Sequence, residues 1–290
     1  MFKLFGALRP RQWPKNLLLF SGVVFGGKLL HPTSLLRSVE AFGAFCLFSS
    51  AVYLTNDVID RDVDRYHPAK ASRAVATGAL SVGAALIAAG VLIGTGLTVA
   101  AELGLAFAAI AIAYIVLMGL YVTCLKHVFL IDTLVIATGF VLRAWGGAAA
   151  VDVPPSRWLL ILTLLLATFL SLSKRRAEIF ILTHAAADHR PSLSRYRLAV
   201  LDRAIAFVTV ATATAYLLYT ISPETIARFG TNKLALTVPL PVVGLTRYSN
   251  QVYKGAGGDD PSEHLLSDAP LLVCVAVCAI SVILIICVVR

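Results

Sequence analysis

The sequence predicts an all-α, polytopic membrane protein with about nine transmembrane helices, and three observations carry that expectation. Of 290 residues, 58% are hydrophobic and only 14% are charged, where a soluble domain has about a quarter of its residues charged. Mean hydropathy is +0.83. The apolar residues fall in successive runs long enough to cross about 30 Å of hydrocarbon as helices. A water-soluble enzyme with one buried core is excluded on that composition alone.

Taken in order, the expected spans are 16–31, 38–56, 79–100, 103–123, 128–150, 157–173, 199–221, 233–251 and 269–289. The first is weakened by Gly22, Gly26 and Gly27, and the eighth by Pro239 and Pro241, since glycine and proline both disfavour helix interiors. Arg9, Arg11 and Lys15 precede the first span, but no small-residue cleavage site follows it, so the segment reads as a retained span rather than a removable signal. Cys46, Cys124, Cys274, Cys278 and Cys287 lie in or at the ends of spans with no Cys-x-x-Cys pair, which points to packing and not to disulfides or metal. Residues 1–290 read as a single integral-membrane domain. The longest polar connections are 57–78, 174–198 and 252–268.

Lysine and arginine fix the expected direction of insertion. With the N-terminus in the cytoplasm, the cytoplasmic connections hold about three times as many as the outer ones, which keep Lys28, Arg37, Arg157, Arg228, Lys233 and Arg290. The formal net charge of +9 is thereby a property of one membrane face. Topogenesis and attraction to anionic lipid account for many of these residues, and no nucleic-acid partner is implied. The expected location is the cell (inner) membrane.

One feature is not explained by insertion. The second span runs into Asn56-Asp57-Val58-Ile59-Asp60-Arg61-Asp62-Val63-Asp64, followed by Arg65, His67, Lys70 and Arg73. On a continuous helix Asp57, Asp60 and Asp64 fall within about 60° of one another and Asp62 points away. Carboxylates sharing a face repel unless a cation lies between them, and Mg²⁺ favours a few carboxylates completed by substrate phosphates. A metal-dependent diphosphate site at the lipid–water boundary is the chemistry this pattern fits. A solvated helix end paired to nearby arginines is the plainer reading.

The pattern Asn56-Asp57-x-x-Asp60-x-x-x-Asp64, with Arg65, His67-Pro68-x-Lys70 and Arg73 to Gly78, resembles the first Asp-rich motif of the UbiA prenyltransferase superfamily. Further blocks resemble its decaprenyl-phosphate phosphoribosyltransferase branch: Leu8-Arg9-Pro10-Arg11-Gln12-Trp13-x-Lys15-Asn16, Ala51 to Asp57, Leu125-Lys126-His127, Leu142-Arg143-Ala144 before Gly146-Gly147, Lys174-Arg175-x-Ala177-Glu178, Arg247-Tyr248, and Gly255 to Glu263. The resemblance implies a nine-helix bundle whose active site opens to the cytoplasm. It also implies Mg²⁺ on Asp57, Asp60 and Asp64 as metal ligands and catalytic residues. Substrate contacts are implied for Lys15, Asn16, Asn56, Arg61, Lys70, Arg73, Tyr121, Lys126, Arg143, Lys174 and Arg175. The implied reaction moves a 5-phosphoribosyl group from phosphoribosyl diphosphate to a polyprenyl phosphate, for pentose-lipid precursors of the cell envelope. Membrane lipids surround such an enzyme, and a homo-oligomer is compatible with it.

The chain departs from prenyl-diphosphate-using members in the loop expected after the sixth helix. Where they carry a second Asp-rich motif, it reads Ser173-Lys174-Arg175-Arg176-Ala177-Glu178. Lysine and arginine bind phosphate oxygens directly, arginine as a two-pronged fork, which suits two phosphate-bearing substrates. Anchoring to anionic headgroups is the alternative. Arg143 falls within a span, where charges usually face a cavity or a partner. His67 and His127 are candidate assistants, and Tyr53, Tyr121 and Tyr248 candidate hydrogen-bond donors. Two other functions stay open on sequence: a UbiA-type prenyltransferase acting on an aromatic acceptor, and a membrane transporter.

Overall fold

The computed structural model describes residues 2–66, 70–128, 130–182, 198–254 and 267–288, and among them every regular element is helical. The chain divides into two compact units, residues 1–155 and 156–290, described in turn.

The first unit opens with α1 (Phe2–Ala7), a 3₁₀ helix (Pro10–Phe20) and α2 (Ser21–Phe25). The expected first span at 16–31 is therefore not one helix. An eleven-residue 3₁₀ stretch is long for its kind, with Pro10 and Pro14 removing two backbone donors. Irregular backbone at membrane depth is tolerated when protein surrounds it, and here Asn16, Leu19 and Val23 are fully buried. Two glycines permit the burial: a Cβ on Gly147 would stand 2.0 Å from the Leu19 carbonyl oxygen, and one on Gly22 would stand 2.2 Å from the Gly147 carbonyl.

Then follow α3 (Pro32–Ile59), α4 (Arg61–Asp64), α5 (Val82–Leu103), α6 (Leu105–Thr123), a 3₁₀ turn at Leu125–His127 and α7 (Ile131–Ala150). Proline at N1 starts α3, as its fixed φ allows. Ser81 caps α5 by accepting from the Ala84 amide at 3.2 Å. Phe45 of α3 anchors the core, with ring centroids 5.7 Å from Phe48, 5.8 Å from Phe107 and 5.0 Å from Tyr114. At the end of the unit away from the acidic residues, cations close helix C-termini. Arg37 donates to the carbonyls of Ala150 and Leu103, at 2.5 and 2.7 Å, and Lys28 to Val151 at 2.8 Å. These cations satisfy carbonyls left over at the ends of α5 and α7.

The second unit holds α8 (Arg157–Leu182), α9 (Leu198–Ile221), α10 (Pro223–Phe229), a 3₁₀ helix (Lys233–Thr237), α11 (Pro239–Tyr253) and α12 (Ala269–Val288). The expected eighth span, 233–251, is thus broken at Val238, just before Pro239. Arg176 of α8 ties the unit together, donating to Asp202 of α9 at 2.5 Å and to the Val252 carbonyl of α11 at 2.6 Å. Asp268 caps α12, accepting from the Leu271 amide, from both arms of Arg247 and from Gln251.

Among the described residues, seven helices are long and apolar enough to span a membrane: α3, α5, α6, α7, α8, α9 and α12. Their outward residues fit lipid. In α12, with mean hydropathy 3.0, Val273, Val277, Ile280 and Leu284 are all exposed. The chain is a multi-pass membrane protein. Two of the nine expected spans are realised as broken segments.

Candidate active site

The acidic motif sits where α3 ends. The helix stops at Ile59 and Asp60, at φ −87° and ψ 5°, separates it from α4. That break corrects the expectation of three carboxylates on one continuous helical face. Asp57 and Asp64 turn inward and are only 3% and 2% exposed, whereas Asp60 is half-buried. Asp62 points to solvent with its side chain 85% exposed, beside Arg65 at 3.4 Å.

Each inward carboxylate meets a cation from elsewhere in the unit. Arg9 donates to Asp57. One guanidinium nitrogen of Arg73 lies 2.5 Å from Asp64 Oδ2 and 3.3 Å from Asp57 Oδ1, so a single arginine bridges both acids. Lys126 reaches Asp60 at 2.5 Å and Asn56 Oδ1 at 3.4 Å. Buried carboxylates left unpaired would be costly, and these contacts offset that cost.

Local structure explains how the cations arrive. Arg9 precedes Pro10, a position that disfavours the α region, and it adopts φ 52°, ψ 60° between α1 and the 3₁₀ helix. A left-handed non-glycine residue costs about 1–2 kcal/mol. The Arg9 guanidinium then stacks on the Tyr53 ring, 4.7 Å from its centroid. Trp13 and Leu8 flank it and both bind Ser50 Oγ, which accepts from the Trp13 indole at 3.1 Å and donates to the Leu8 carbonyl at 2.9 Å. Arg65 holds the 70–80 segment by donating to the Ala76 carbonyl at 3.1 Å, and that segment delivers Arg73. A cleft of about 740 Å³ opens beside these groups, lined by Arg9, Asp57, Ser72, Arg73, Thr77 and Gly78.

The sequence candidates therefore separate. Asn56, Asp57, Asp60, Asp64, Arg73 and Lys126 come together. Arg61 and Lys70 flank the cluster and are half-buried. Asn16 and Arg143, expected to contact substrate, instead bind each other within the unit's interior: Arg143 donates to Asn16 Oδ1 at 2.8 Å, to the Tyr114 hydroxyl at 2.7 Å and to the Gly139 carbonyl at 3.0 Å. Asn16 also donates to Cys46 and Ser49. A charged, fork-shaped donor has found three neutral acceptors, so it needs no phosphate to be satisfied. Lys15 is half-buried, and Tyr121 packs against the unit's core cluster. His127 is exposed.

Lys174 and Arg175 lie in the second unit, and not in a loop. The helix α8 continues through them to Leu182, because Lys-Arg-Arg-Ala-Glu is a run of strong helix formers. Arg175 is 1% exposed and paired with Glu178 one turn on. Tyr248 is buried 5.4 Å from the Phe169 ring. His67 and Gly255 to Glu263 fall outside the described residues.

Arg9 is the functional candidate that the sequence reading left out. Its signal was present in the N-terminal block, as an arginine placed directly before proline at a helix junction.

Among the described residues no three His, Cys, Asp or Glu side chains converge to hold an ion by themselves. Asp57 and Asp64 do converge, on one guanidinium nitrogen. One or two carboxylates completed by phosphate oxygens is a common Mg²⁺ arrangement, so the residues fit a divalent cation that arrives with a phosphate ligand.

Comparison with known proteins gives a consistent picture. Residues 18–267 match the UbiA prenyltransferase family. The chain is 33% identical to the decaprenyl-phosphate phosphoribosyltransferase of Corynebacterium glutamicum, over 92% of this chain and 81% of that protein. It is 30% identical to the protein of the same name from Mycolicibacterium smegmatis, over 92% and 87%. Its fold is similar to that of a UbiA homologue from Archaeoglobus fulgidus bound to DMAPP and Mg²⁺, with a TM-score of 0.75, 18% identity and 99% of each chain covered.

Proposed function

Since the chain belongs to the UbiA prenyltransferase family, we propose that it transfers a 5-phosphoribosyl group from phosphoribosyl diphosphate to a polyprenyl phosphate. The observation that carries this reading is the similarity to the Corynebacterium phosphoribosyltransferase, which runs over 92% of the chain. The cations meeting the acidic motif support it, because both substrates of such a reaction bring phosphate.

In this reading the bond from ribose C1 to the diphosphate oxygen breaks, its electron pair leaving with the diphosphate. A lipid phosphate oxygen then bonds to C1. That oxygen is already anionic, so no strong general base is required. Asp57 and Asp64 would hold Mg²⁺, with Asp60 beside them, and the ion when bound would supply Lewis-acid stabilisation of the leaving group. Arg9 and Arg73 lie on the cleft side and offer forks to phosphate oxygens, and Lys126 with Asn56 serves the other flank. These fixed positive groups stabilise charge as it develops on the departing diphosphate. Lys174 and Arg175 are proposed as further phosphate contacts on sequence grounds alone. The site faces the cytoplasm of the cell membrane, the side where a soluble, highly charged donor is available.

The test is diphosphate release by the purified protein in detergent with Mg²⁺. Release should depend on phosphoribosyl diphosphate together with a polyprenyl phosphate, and EDTA should abolish it. Release from a prenyl diphosphate with an aromatic acid, and none from phosphoribosyl diphosphate, would overturn the proposal in favour of aromatic prenylation.

A further inference from the structure

The acidic motif carries its own counter-ions, and their placement bears on how a metal enters. Asp57, Asp60 and Asp64 contribute three negative charges, and Arg9, Arg73 and Lys126 contribute three positive charges in direct contact with them. The arginine that matters most is Arg73. Its one nitrogen touches both Asp57 and Asp64, at 3.3 and 2.5 Å, and so stands against the two carboxylates that would hold a divalent ion. Two cations do not share that place: at a few ångströms their repulsion amounts to several kcal/mol even where the surroundings are well polarised.

The same side chains have somewhere else to go. Arg9 and Arg73 are about one-quarter exposed, at 25% and 21%, and both line the cleft beside Asp57. Rotation of a long side chain moves either guanidinium into the cleft without moving the backbone. A diphosphate there gives it acceptors that match its fork. The charge balance then decides the order. A divalent ion alone would place two positive charges on a set already neutralised, and a diphosphate alone would meet carboxylates. Arriving together, the ion offsets most of the diphosphate charge, and the displaced guanidinium groups meet the remainder.

We infer that Arg9 and Arg73 are exchangeable counter-ions, which neutralise Asp57 and Asp64 until a diphosphate draws them away, so that the divalent ion binds with the diphosphate and not ahead of it. This rests on the transferase reading for its metal and goes beyond it in assigning an order and a resident competitor. The coupling is reciprocal by thermodynamic linkage: Mg²⁺ strengthens diphosphate binding by the same factor by which diphosphate strengthens Mg²⁺ binding. Permanent structural ion pairs would behave differently, because removing the cation would only destabilise the fold.

The experiment titrates Mg²⁺ against the thermal unfolding midpoint of the full-length protein in detergent, with and without inorganic pyrophosphate, since a ligand of the folded state raises that midpoint. For the unaltered chain, Mg²⁺ alone should shift the midpoint little, and Mg²⁺ with pyrophosphate should shift it strongly. In Arg73→Gln the half-saturating Mg²⁺ concentration without pyrophosphate should fall by about tenfold or more, and the synergy should shrink. Arg9→Gln should act in the same direction at Asp57 and keeps the idea testable if Arg73→Gln does not fold. Arg73→Lys retains the charge and should not tighten Mg²⁺. Arg11→Gln alters net charge equally at an exposed position and should change nothing. Equal Mg²⁺ affinity with and without pyrophosphate in the unaltered chain, or variants that bind Mg²⁺ no more tightly, would overturn the exchange. No response to Mg²⁺ in any arm would overturn it together with the metal site. A full pattern of synergy without donor-dependent release would leave the exchange standing and remove only the proposed reaction.

Discussion

At the scale of single residues, the acidic motif is sorted by burial rather than by spacing. Asp57 and Asp64 are removed from water and held by arginine, while Asp62, two residues from Asp64, stands in solvent. A neutral, isosteric change should therefore act unequally along nine residues. Asp57→Asn and Asp64→Asn each remove one of the two buried anionic groups that would hold Mg²⁺ and should cut kcat/KM at least tenfold. Asp62→Asn should stay within about twofold, because exposed pairs contribute little. Steady-state kinetics at matched folded protein checks this, and equal, slight effects at all three positions would sink the site. Much of this was legible: the Asn-led acidic run, Arg73 and Lys126 were all marked by sequence. The pairings were not, because Arg9 lies 48 positions from Asp57 and Lys126 lies 66 from Asp60. Only the folded unit determines which distant cation meets which acid. Arg143 shows the same limit, since an arginine in a span leaves substrate contact and structural pairing both open until the fold brings Asn16, Tyr114 and the Gly139 carbonyl round it.

At the scale of elements, hydropathy located the long helices but not the broken ones. The spans of α5, α6, α7, α9 and α12 are displaced from expectation by only a few residues, because an apolar run crossing lipid has no alternative to helix. The first span failed where protein replaced lipid as the surroundings. Once Leu19 and Asn16 are buried by α7, the backbone is free to tighten into a 3₁₀ helix. Glycine and proline flagged that weakness, though not its form. The contact depends on the absence of a Cβ at Gly147, which would stand 2.0 Å from the Leu19 carbonyl oxygen. Gly147→Ala should accordingly destabilise the protein by about 1–3 kcal/mol, the usual penalty of overpacking, and should loosen the N-terminal segment that presents Arg9. Gly43→Ala, where an added Cβ meets nothing within 4 Å, provides the comparison. Thermal unfolding of the two variants decides it, and an unchanged midpoint in Gly147→Ala would mean that the segment shifts freely.

At the scale of the molecule, the question that connects structure to function is which membrane face carries the acids. The helix α3 is 28 residues long, or about 42 Å, and therefore separates its ends by the full hydrocarbon thickness. Asp57 lies at its C-terminal end, and Leu30, 83% exposed, just before its start. Cys124, an exposed thiol two residues before Lys126, shares the acidic end because Lys126 binds Asp60. We propose that this side is cytoplasmic, on the excess of lysine and arginine expected in the connections there, which would let a water-soluble diphosphate donor reach it. In a background with the other cysteines replaced, Cys124 should be modified by a membrane-impermeant maleimide only in inside-out vesicles. A cysteine introduced by Leu30→Cys should be modified only in right-side-out vesicles. The two labels report opposite ends of one helix, so they must exchange together if the orientation is wrong. Labelling of Cys124 from the outside, with Leu30→Cys protected there, would place the acidic site on the face that a cytoplasmic donor cannot reach, and the proposed reaction would fail with it.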